Sequence, residues 1–251
     1  MQKSVKIFDD GNLTPIAPNT HRTADGTICY RLLTKRYSHW VLDENGEMEY
    51  ITESRIKVRD GWYGIAKEFT NKDTAFIVMD PWIDWPDDFL TDYFGAITKN
   101  YTLPLIQAAV NAGHPVFILT DDAEKSKFNA KITPGLQELA DAGKTKVLYH
   151  TDYTAESFLK LIGDMGIEKL IYTGYCTNIC VMFRELGVAQ MSKKIQTFFL
   201  PKCAGAMEHG DTWDTGEVHK FATFILGQTR ALLIEFDDII KALGELPKEV
   251  T

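Results

Sequence analysis

Six short apolar runs separated by helical patterns constrain the fold of this chain more than any other feature. From Thr74 onward the runs read TAFIVM, PVFILT, KVLYH, KLIYTG, IQTFFL and RALLIE, and each is bounded by turn residues or a charge. Runs that are apolar throughout are typical of parallel strands covered on both faces. The intervening segments are spaced like helices, as at Phe158, Leu161 and Ile162 before Gly166. The order predicts an α/β fold with a doubly wound parallel sheet of about six strands.

The first 70 residues have a different, β-rich character. RYSHWVL and EMEYITE flank the turn sequence DENG, a pattern that predicts a β-hairpin. We therefore divide the chain into a β-rich N-terminal extension, residues 1–70, and a main domain, residues 71–251. Trp40, Trp62 and several tyrosines give the extension more aromatic surface than an isolated segment would expose. We expect it to pack on the main domain or on a neighbouring subunit, as a lid or an oligomer contact.

Composition excludes several classes of partner. The chain has 251 residues and a formal net charge of −8, without the clustered Lys and Arg that nucleic acid or an anionic membrane requires. Its start lacks the apolar core of a signal peptide, and no apolar stretch approaches the roughly 18 residues of a membrane span, so we expect a cytoplasmic protein. The four cysteines are too scattered for a disulfide framework and are expected as reduced thiols.

Polar residues follow the ends of the predicted strands. Ligands of a doubly wound sheet bind beyond the carboxyl ends of its strands. Asp80, the pair Asp121 and Asp122, His150 and the stretch YCTNIC follow or end an apolar run, which places them on the ligand-binding rim. His114 begins a run and is expected on the opposite rim.

Two cysteines, Cys176 and Cys180, lie just beyond the run KLIYTG. A helix is expected to begin at Cys180 in CVMFRELGVAQM, and the free N–H groups and dipole of its first turn favour a thiolate. The same N–H groups would stabilise an oxyanion. Both cysteines could instead be small buried apolar residues. Their spacing fits neither a zinc site, which needs further ligands, nor a C-x-x-C redox pair.

The region around Cys180 resembles a known family. TGYCTNICV is similar to the nucleophile motif of the isochorismatase-like cysteine hydrolases: Thr-Gly, two variable residues, Thr-Asn, one more residue and Cys-Val. Upstream, AFIVMDPWIDW resembles the first strand of that family, which ends in a catalytic Asp. GEVHKFATFILGQTRALLIEFDDIIKAL resembles its last helix, strand and helix. The resemblance extends roughly from Thr74 to Leu243.

The resemblance implies a mechanism. It makes Cys180 the nucleophile and Asp80 the general acid and base, and it implies a cis peptide between Tyr175 and Cys176. The backbone N–H groups of Cys176 and Cys180 would form the oxyanion hole. The implied activity is hydrolysis of a small amide or ureido C–N bond through a thioester, without a cofactor. The expected partners are a small-molecule substrate and, as a homo-oligomer, further copies of the chain.

The chain departs from the family at the third catalytic group, a Lys at the end of the third strand. The corresponding stretch is KTKVLYHTDYTAESF. If this stretch is a few residues shorter than in the family, His150 takes the Lys position as a catalytic residue. If the two sequences align without a gap, Val147 takes that position, and Lys146 is the neighbouring cation. An imidazolium beside the thiol would stabilise a thiolate as Lys does. If neither cation reaches Cys180, the protein could be slow, specialised or inactive.

The loop after Asp80 also differs. Nicotinamidase-type members have an Asp-x-His there, but DPWIDWPDDF contains no His, so we predict no metal. Trp82, with Trp85 and Tyr153, is expected to line the substrate pocket and select a flat or apolar group. Asp122 is a candidate for a polar substrate contact.

Two other functions remain open at this point. The first is vinyl-ether hydrolysis of the isochorismatase type, in which the Asp protonates the substrate and no thiol is needed. The second is a non-catalytic protein that uses the scaffold for assembly or ligand binding, which the missing Lys would permit.

Overall fold

The computed structural model describes residues 6–8, 20–37, 40–42, 48–50, 62–127 and 130–244. The strands are β1 (Lys6–Phe8), β2 (His21–Arg22), β3 (Ile28–Tyr37), β4 (Trp40–Leu42), β5 (Met48–Tyr50), β6 (Trp62–Thr70), β7 (Thr74–Met79), β8 (Val116–Thr120), β9 (Lys146–Tyr149), β10 (Lys169–Tyr175), β11 (Gln196–Gly205) and β12 (Leu232–Ile234). The helices are α1 (Asp88–Ile97), α2 (Leu103–Asn111), α3 (Pro134–Asp141), α4 (Ala155–Gly163), α5 (Cys180–Phe183), α6 (Val188–Met191), α7 (Glu217–Thr229) and α8 (Phe236–Gly244), with a π-helical turn (Thr98–Thr102) joining α1 to α2.

The main sheet has the strand order β1-β6-β3-β12-β11-β10-β7-β8-β9. The strands β7 to β12 are the six apolar runs, and every neighbouring pair among them is parallel. The chain winds outward from β7 through β8 to β9, and in the other direction from β10 through β11 to β12. The winding therefore reverses between the neighbours β7 and β10. The doubly wound parallel sheet predicted from the sequence is confirmed.

The apolar character of the central strands follows from their burial on both faces. Every residue of β7 is buried. Phe76 and Val78 face a layer that includes α2 and α8, whereas Ile77 and Met79 face a layer that includes α4 and α7. Such a strand has no solvent side on which polar residues could alternate. Among the described residues, no helix has the length and apolar content required to cross a membrane.

The N-terminal segment extends this sheet. β3 runs antiparallel to both β12 and β6, so it adds to the edge formed by β12. The buried residues Ile28, Tyr30 and Leu32 belong to the same core cluster as α2 and α8. The predicted hairpin is confirmed, since β4 and β5 pair antiparallel with Trp40 opposite Tyr50. Its turn, and the side chains of Trp40 and Trp62, lie outside the described residues.

Gly174 brings β10 unusually close to β7. Its φ is 97°, and a Cβ at this position would lie 2.1 Å from the carbonyl oxygen of Met79. Only glycine fits such a backbone and such an approach. The two strands are therefore in close contact where the winding reverses, directly before the loops that carry Asp80 and Cys176.

Candidate active site

Four neighbouring strands end in residues with polar or reactive side chains. Asp80 follows β7, Asp121 follows β8, His150 follows β9 and Cys176 follows β10. These strands are adjacent in the order β10-β7-β8-β9, and all are parallel. Their carboxyl ends therefore share one edge of the sheet, at the reversal where ligands of such folds bind.

Asp80 is fully buried, and its backbone turns sharply out of β7. Its φ is 43°, in the left-handed region that Asp tolerates better than most residues. The Asp80 N–H donates to Leu119 O at 2.8 Å and Trp82 N–H donates to Asp80 O at 2.9 Å, which hold this turn. The carboxylate accepts a hydrogen bond from His150 Nε2 at Oδ1, 2.9 Å away. The ring nitrogen therefore carries a proton.

Cys180 begins a helix of one turn, α5. The preceding loop opens with a cis peptide between Tyr175 and Cys176, as the family resemblance implies. Ile179 N–H and Val181 N–H both donate to Cys176 O, which closes the loop beneath the helix. Within the described residues, the Cys180 amide N–H donates to no backbone or side-chain oxygen, whereas the Cys176 amide N–H donates to the Cys180 sulfur. Both N–H groups therefore lie beside the sulfur, where an oxyanion would form.

The thiol of Cys180 is protonated at rest. Burial, the negative charge of Asp80 and a hydrogen bond with Asp80 together raise the pKa of Cys180 to about 11, although Arg184 opposes them. The thiolate expected at the helix N-terminus is therefore not the resting state, because burial and the charge of Asp80 outweigh whatever favours it. A nucleophile with this pKa requires a base to remove its proton, and Asp80 lies in contact with it.

The helix expected across residues 180–191 is interrupted after one turn. It forms two pieces, α5 and α6, and Arg184 between them is extended, with ψ of 156°. A Cβ on Gly187 would lie 2.9 Å from the carbonyl oxygens of Arg184, Cys180 and Val181, so glycine permits this tight turn. Because the helix ends here, Arg184 reaches the strand ends, and its Nη2 lies 3.5 Å from Asp80 Oδ2 and 3.1 Å from Asp121 Oδ2.

A cavity of about 400 Å³ opens beside Cys180. Its lining consists of Trp82, Trp85, Pro86, Cys176, Ile179, Cys180, Phe183, Arg184 and Met207. Trp82 is buried and donates from Nε1 to Thr120 Oγ1 at 2.9 Å, with the Trp85 ring 5.0 Å away. Ile179 and Phe183 are 46% and 65% exposed, which places them at the mouth. The cavity offers an apolar, partly aromatic wall to a substrate and reactive groups at one side.

No model of a protein family matches the chain, and no curated protein matches it in sequence. Solved structures do resemble it. The cysteine hydrolase from Pseudomonas syringae pv. phaseolicola is 14% identical, with a TM-score of 0.51 over 70% of this chain and 94% of its own. Nicotinamidase/pyrazinamidase PncA from Bacillus subtilis is 17% identical, with a TM-score of 0.51 over 65% of this chain and 100% of its own. YcaC from Pseudomonas aeruginosa is 19% identical, with a TM-score of 0.50 over 69% of this chain and 81% of its own.

The chain has the isochorismatase-like fold. This confirms, for the fold, the resemblance read from the sequence. The resemblance places the family's Lys at the end of the third strand, which is β9 here. His150 follows β9 and contacts Asp80, whereas Lys146 begins β9 at the opposite edge and is exposed. Of the two candidate cations, only His150 reaches this site of the isochorismatase-like fold.

The other predicted binding residues divide between the cavity and its surroundings. Trp82 lines the cavity. Tyr153 is half-buried against the core layer that contains α4, and it is not among the cavity-lining residues. Asp122 faces away and pairs with Lys125 at 2.8 Å, while its neighbour Asp121 faces Arg184. Among the described residues, no three His, Cys, Asp or Glu side chains are grouped as metal ligands.

Sequence reasoning missed Arg184. The residue follows Cys180 by four positions, a spacing that would place it on the same helix face. The interruption of the helix at Gly187, which decides where the side chain goes, leaves only a weak signal in the sequence.

Sequence reasoning also missed the contacts that hold the loop of residues 176–180. Asn178 Oδ1 accepts from Met207 N–H at 3.0 Å, and Thr177 Oγ1 lies 2.9 Å from His219 Nδ1. The buried Glu208 accepts from the N–H groups of Val218 and His219 at the start of α7. The loop is therefore fixed to α7 and to the segment after β11.

Proposed function

We propose that this protein is a cysteine-dependent hydrolase of the C–N bond of small amides or ureido compounds, acting through a thioester. The observation that carries the proposal is the contact of the Cys180 thiol with the buried Asp80 carboxylate beside a cavity. The similar folds of a protein described as a cysteine hydrolase and of a nicotinamidase support it.

The first half-reaction forms the thioester. Asp80 takes the proton of the Cys180 thiol, and the sulfur attacks the substrate carbonyl carbon. The negative charge moves to the carbonyl oxygen, where the Cys176 and Cys180 N–H groups stabilise it. Asp80 then gives its proton to the leaving nitrogen as the C–N bond breaks, and ammonia or an amine departs.

The second half-reaction releases the acid. Asp80 takes a proton from water as the oxygen attacks the thioester carbonyl, and the same N–H groups stabilise the second tetrahedral intermediate. The C–S bond breaks, and Asp80 returns the proton to the sulfur. His150 holds Asp80 through the hydrogen bond at Oδ1, so Oδ2 is the oxygen that would carry the proton.

The cavity suits a neutral substrate with an apolar body. Two tryptophans, a proline, a phenylalanine, an isoleucine and a methionine form most of its lining. The cationic lining residue, Arg184, already contacts Asp80 and Asp121, so its charge is matched before a substrate enters. We therefore propose aromatic and branched aliphatic primary amides as the first compounds to test.

The test measures ammonia released from such amides by the wild-type chain and by Cys180→Ala. We expect turnover by the wild type and a loss of at least about 10³-fold in Cys180→Ala, because the thioester cannot form. Cys29→Ala, at a cysteine on β3, is the matched control and should keep its activity. Full activity in Cys180→Ala would contradict the proposal.

A further inference from the structure

We propose that Arg184 supplies the fixed positive charge that allows negative charge to move between Asp80, Cys180 and the oxyanion, and that His150 positions Asp80 through a hydrogen bond. The inference rests on the proposed function, since it assigns roles within the same site. Arg184 leaves α5 one turn after the nucleophile, so the nucleophile and its cation are four residues apart on one short segment.

The first step of the argument is the charge balance of the site. The groups that act directly on the Cys180 thiol are Asp80, Cys176 and Arg184. Two further titratable groups surround them: His150 contacts Asp80, and Asp121 contacts Arg184. Asp80, Cys180 and the oxyanion share one negative charge through the reaction, because the proton that leaves the thiol neutralises the carboxylate while the charge passes through the sulfur to the oxyanion. A buried negative charge without a nearby cation is costly wherever it resides.

The second step is the position of the guanidinium. Nη2 of Arg184 lies 3.5 Å from Asp80 Oδ2, the oxygen that His150 does not contact. A guanidinium keeps its charge at every pH at which such a protein is folded. His150 Nε2 lies 2.9 Å from the other oxygen, at hydrogen-bond distance. The two side chains therefore hold the two oxygens of one carboxylate in different ways.

The third step is the restraint on Arg184. Asp121 Oδ2 lies 3.1 Å from Nη2, closer than the Asp80 oxygen, and the side chain of Asp121 is only 19% exposed. Asp121 fixes the guanidinium at the edge of the cavity. The tight turn between α5 and α6, which Gly187 permits, fixes the backbone of Arg184. Asp121 is thus a positioning residue for Arg184.

The experiment follows thiol reactivity and needs no substrate. The folded variants Arg184→Gln, Arg184→Lys, Asp121→Asn and His150→Gln are alkylated with iodoacetamide from about pH 6 to about pH 10, and the Cys180 peptide is quantified by mass spectrometry. Arg230→Gln, which removes a positive charge at the end of α7, is the matched control. Cys29 in the same digest is the internal reference.

We expect Arg184→Gln to slow Cys180 alkylation about tenfold near pH 8, which corresponds to a rise of about one unit in the pKa of the thiol. Arg184→Lys should recover most of the rate, Asp121→Asn should lose part of it, and Arg230→Gln should match the wild type. His150→Gln should lose less than Arg184→Gln. If Arg184→Gln is poorly folded, Arg184→Met removes the same charge and keeps an unbranched apolar side chain.

Two results would overturn the inference: an unchanged alkylation profile in folded Arg184→Gln and Arg184→Met, or a larger loss in His150→Gln than in Arg184→Gln. Its failure is distinguishable from failure of the proposed function. Retained amide hydrolysis by Cys180→Ala would remove the function and leave the alkylation result standing. An active, Cys180-dependent enzyme with unchanged reactivity in Arg184→Gln would remove only the role of Arg184.

Discussion

At the scale of single residues, the site is organised around one shared proton. The thiol of Cys180 keeps its proton at neutral pH because burial and the neighbouring charge of Asp80 both oppose the thiolate. Turnover therefore depends on proton transfer to Asp80 rather than on a standing thiolate. This arrangement protects the sulfur from indiscriminate alkylation and oxidation, since the thiolate is the reactive form.

Replacing Asp80 should separate reactivity from turnover. Asp80→Asn removes the negative charge that opposes the thiolate. The pKa of Cys180 should therefore fall from about 11, and its alkylation near pH 8 should rise by about tenfold. Amide hydrolysis should be lost, because Asn cannot carry the proton. Asp122→Asn, at the carboxylate paired with Lys125, is the control and should leave alkylation unchanged. Slower alkylation in Asp80→Asn would show that the charge of Asp80 does not cause the raised pKa.

At the scale of elements, the geometry depends on two glycines that flank the nucleophile. Gly174 lets β10 approach β7, and Gly187 lets the chain turn sharply between α5 and α6. The first sets the distance between the loops that hold Asp80 and Cys180, and the second directs Arg184 toward the site. Neither effect is visible as hydrophobic periodicity.

Gly174→Ala should destabilise the protein by at least about 2 kcal/mol, because a Cβ would clash with the backbone of Met79 at a φ that only glycine adopts readily. The measurement is chemical denaturation. Gly95→Ala is the matched control, since Gly95 lies inside α1 with nothing within 4 Å of an added Cβ. That variant should be more stable by up to about 1 kcal/mol. Equal stability of the two variants would contradict the close approach of β10 and β7.

At the scale of the whole molecule, the N-terminal strands are part of the main sheet and core. Tyr30 on β3 is fully buried, and its hydroxyl lies 3.2 Å from Nε2 of His114, while Nδ1 of His114 lies 2.9 Å from Thr74 O. His114 lies on the rim opposite the active site, as the sequence predicts. The division at residue 70 and a lid or interface role of the extension stay predictions.

The buried His114 should make the fold sensitive to acid. Burial lowers its pKa from 6.5 to about 4, despite the opposing effects of the Thr74 carbonyl and Asp73. Between these two values the unfolded chain binds a proton that the folded chain does not. Stability contributed by the neutral ring is therefore present above pH 6.5 and is lost as the pH falls toward 4, by up to about 3 kcal/mol.

The measurement is the unfolding free energy of the wild type and of His114→Gln as a function of pH. The comparison is between the two slopes with pH, not between the absolute stabilities. The variant should lose less stability over the same interval. If it does not fold, the imidazole resonances of the wild type provide the test, since His114 should not titrate between about pH 7 and about pH 5. Titration in that interval would contradict the prediction.

The sequence by itself determined the sheet. Six runs that are apolar throughout predicted the parallel strands of a doubly wound sheet. The motif TGYCTNICV predicted the isochorismatase-like fold. It also placed Asp80, His150 and Cys180 at one rim, because the carboxyl ends of parallel strands share an edge. Such inferences succeed because the spacing of apolar residues is a local property of the chain.

Tertiary structure alone decided the electrostatics. Which of Asp121 and Asp122 contacts Arg184 depends on a turn, and whether Arg184 reaches Asp80 depends on where a helix ends. The raised pKa of Cys180 depends on how deeply the sulfur is buried and on which charges lie beside it. Distances of a few ångströms between residues far apart in the chain set these quantities, and no local pattern of residues records them.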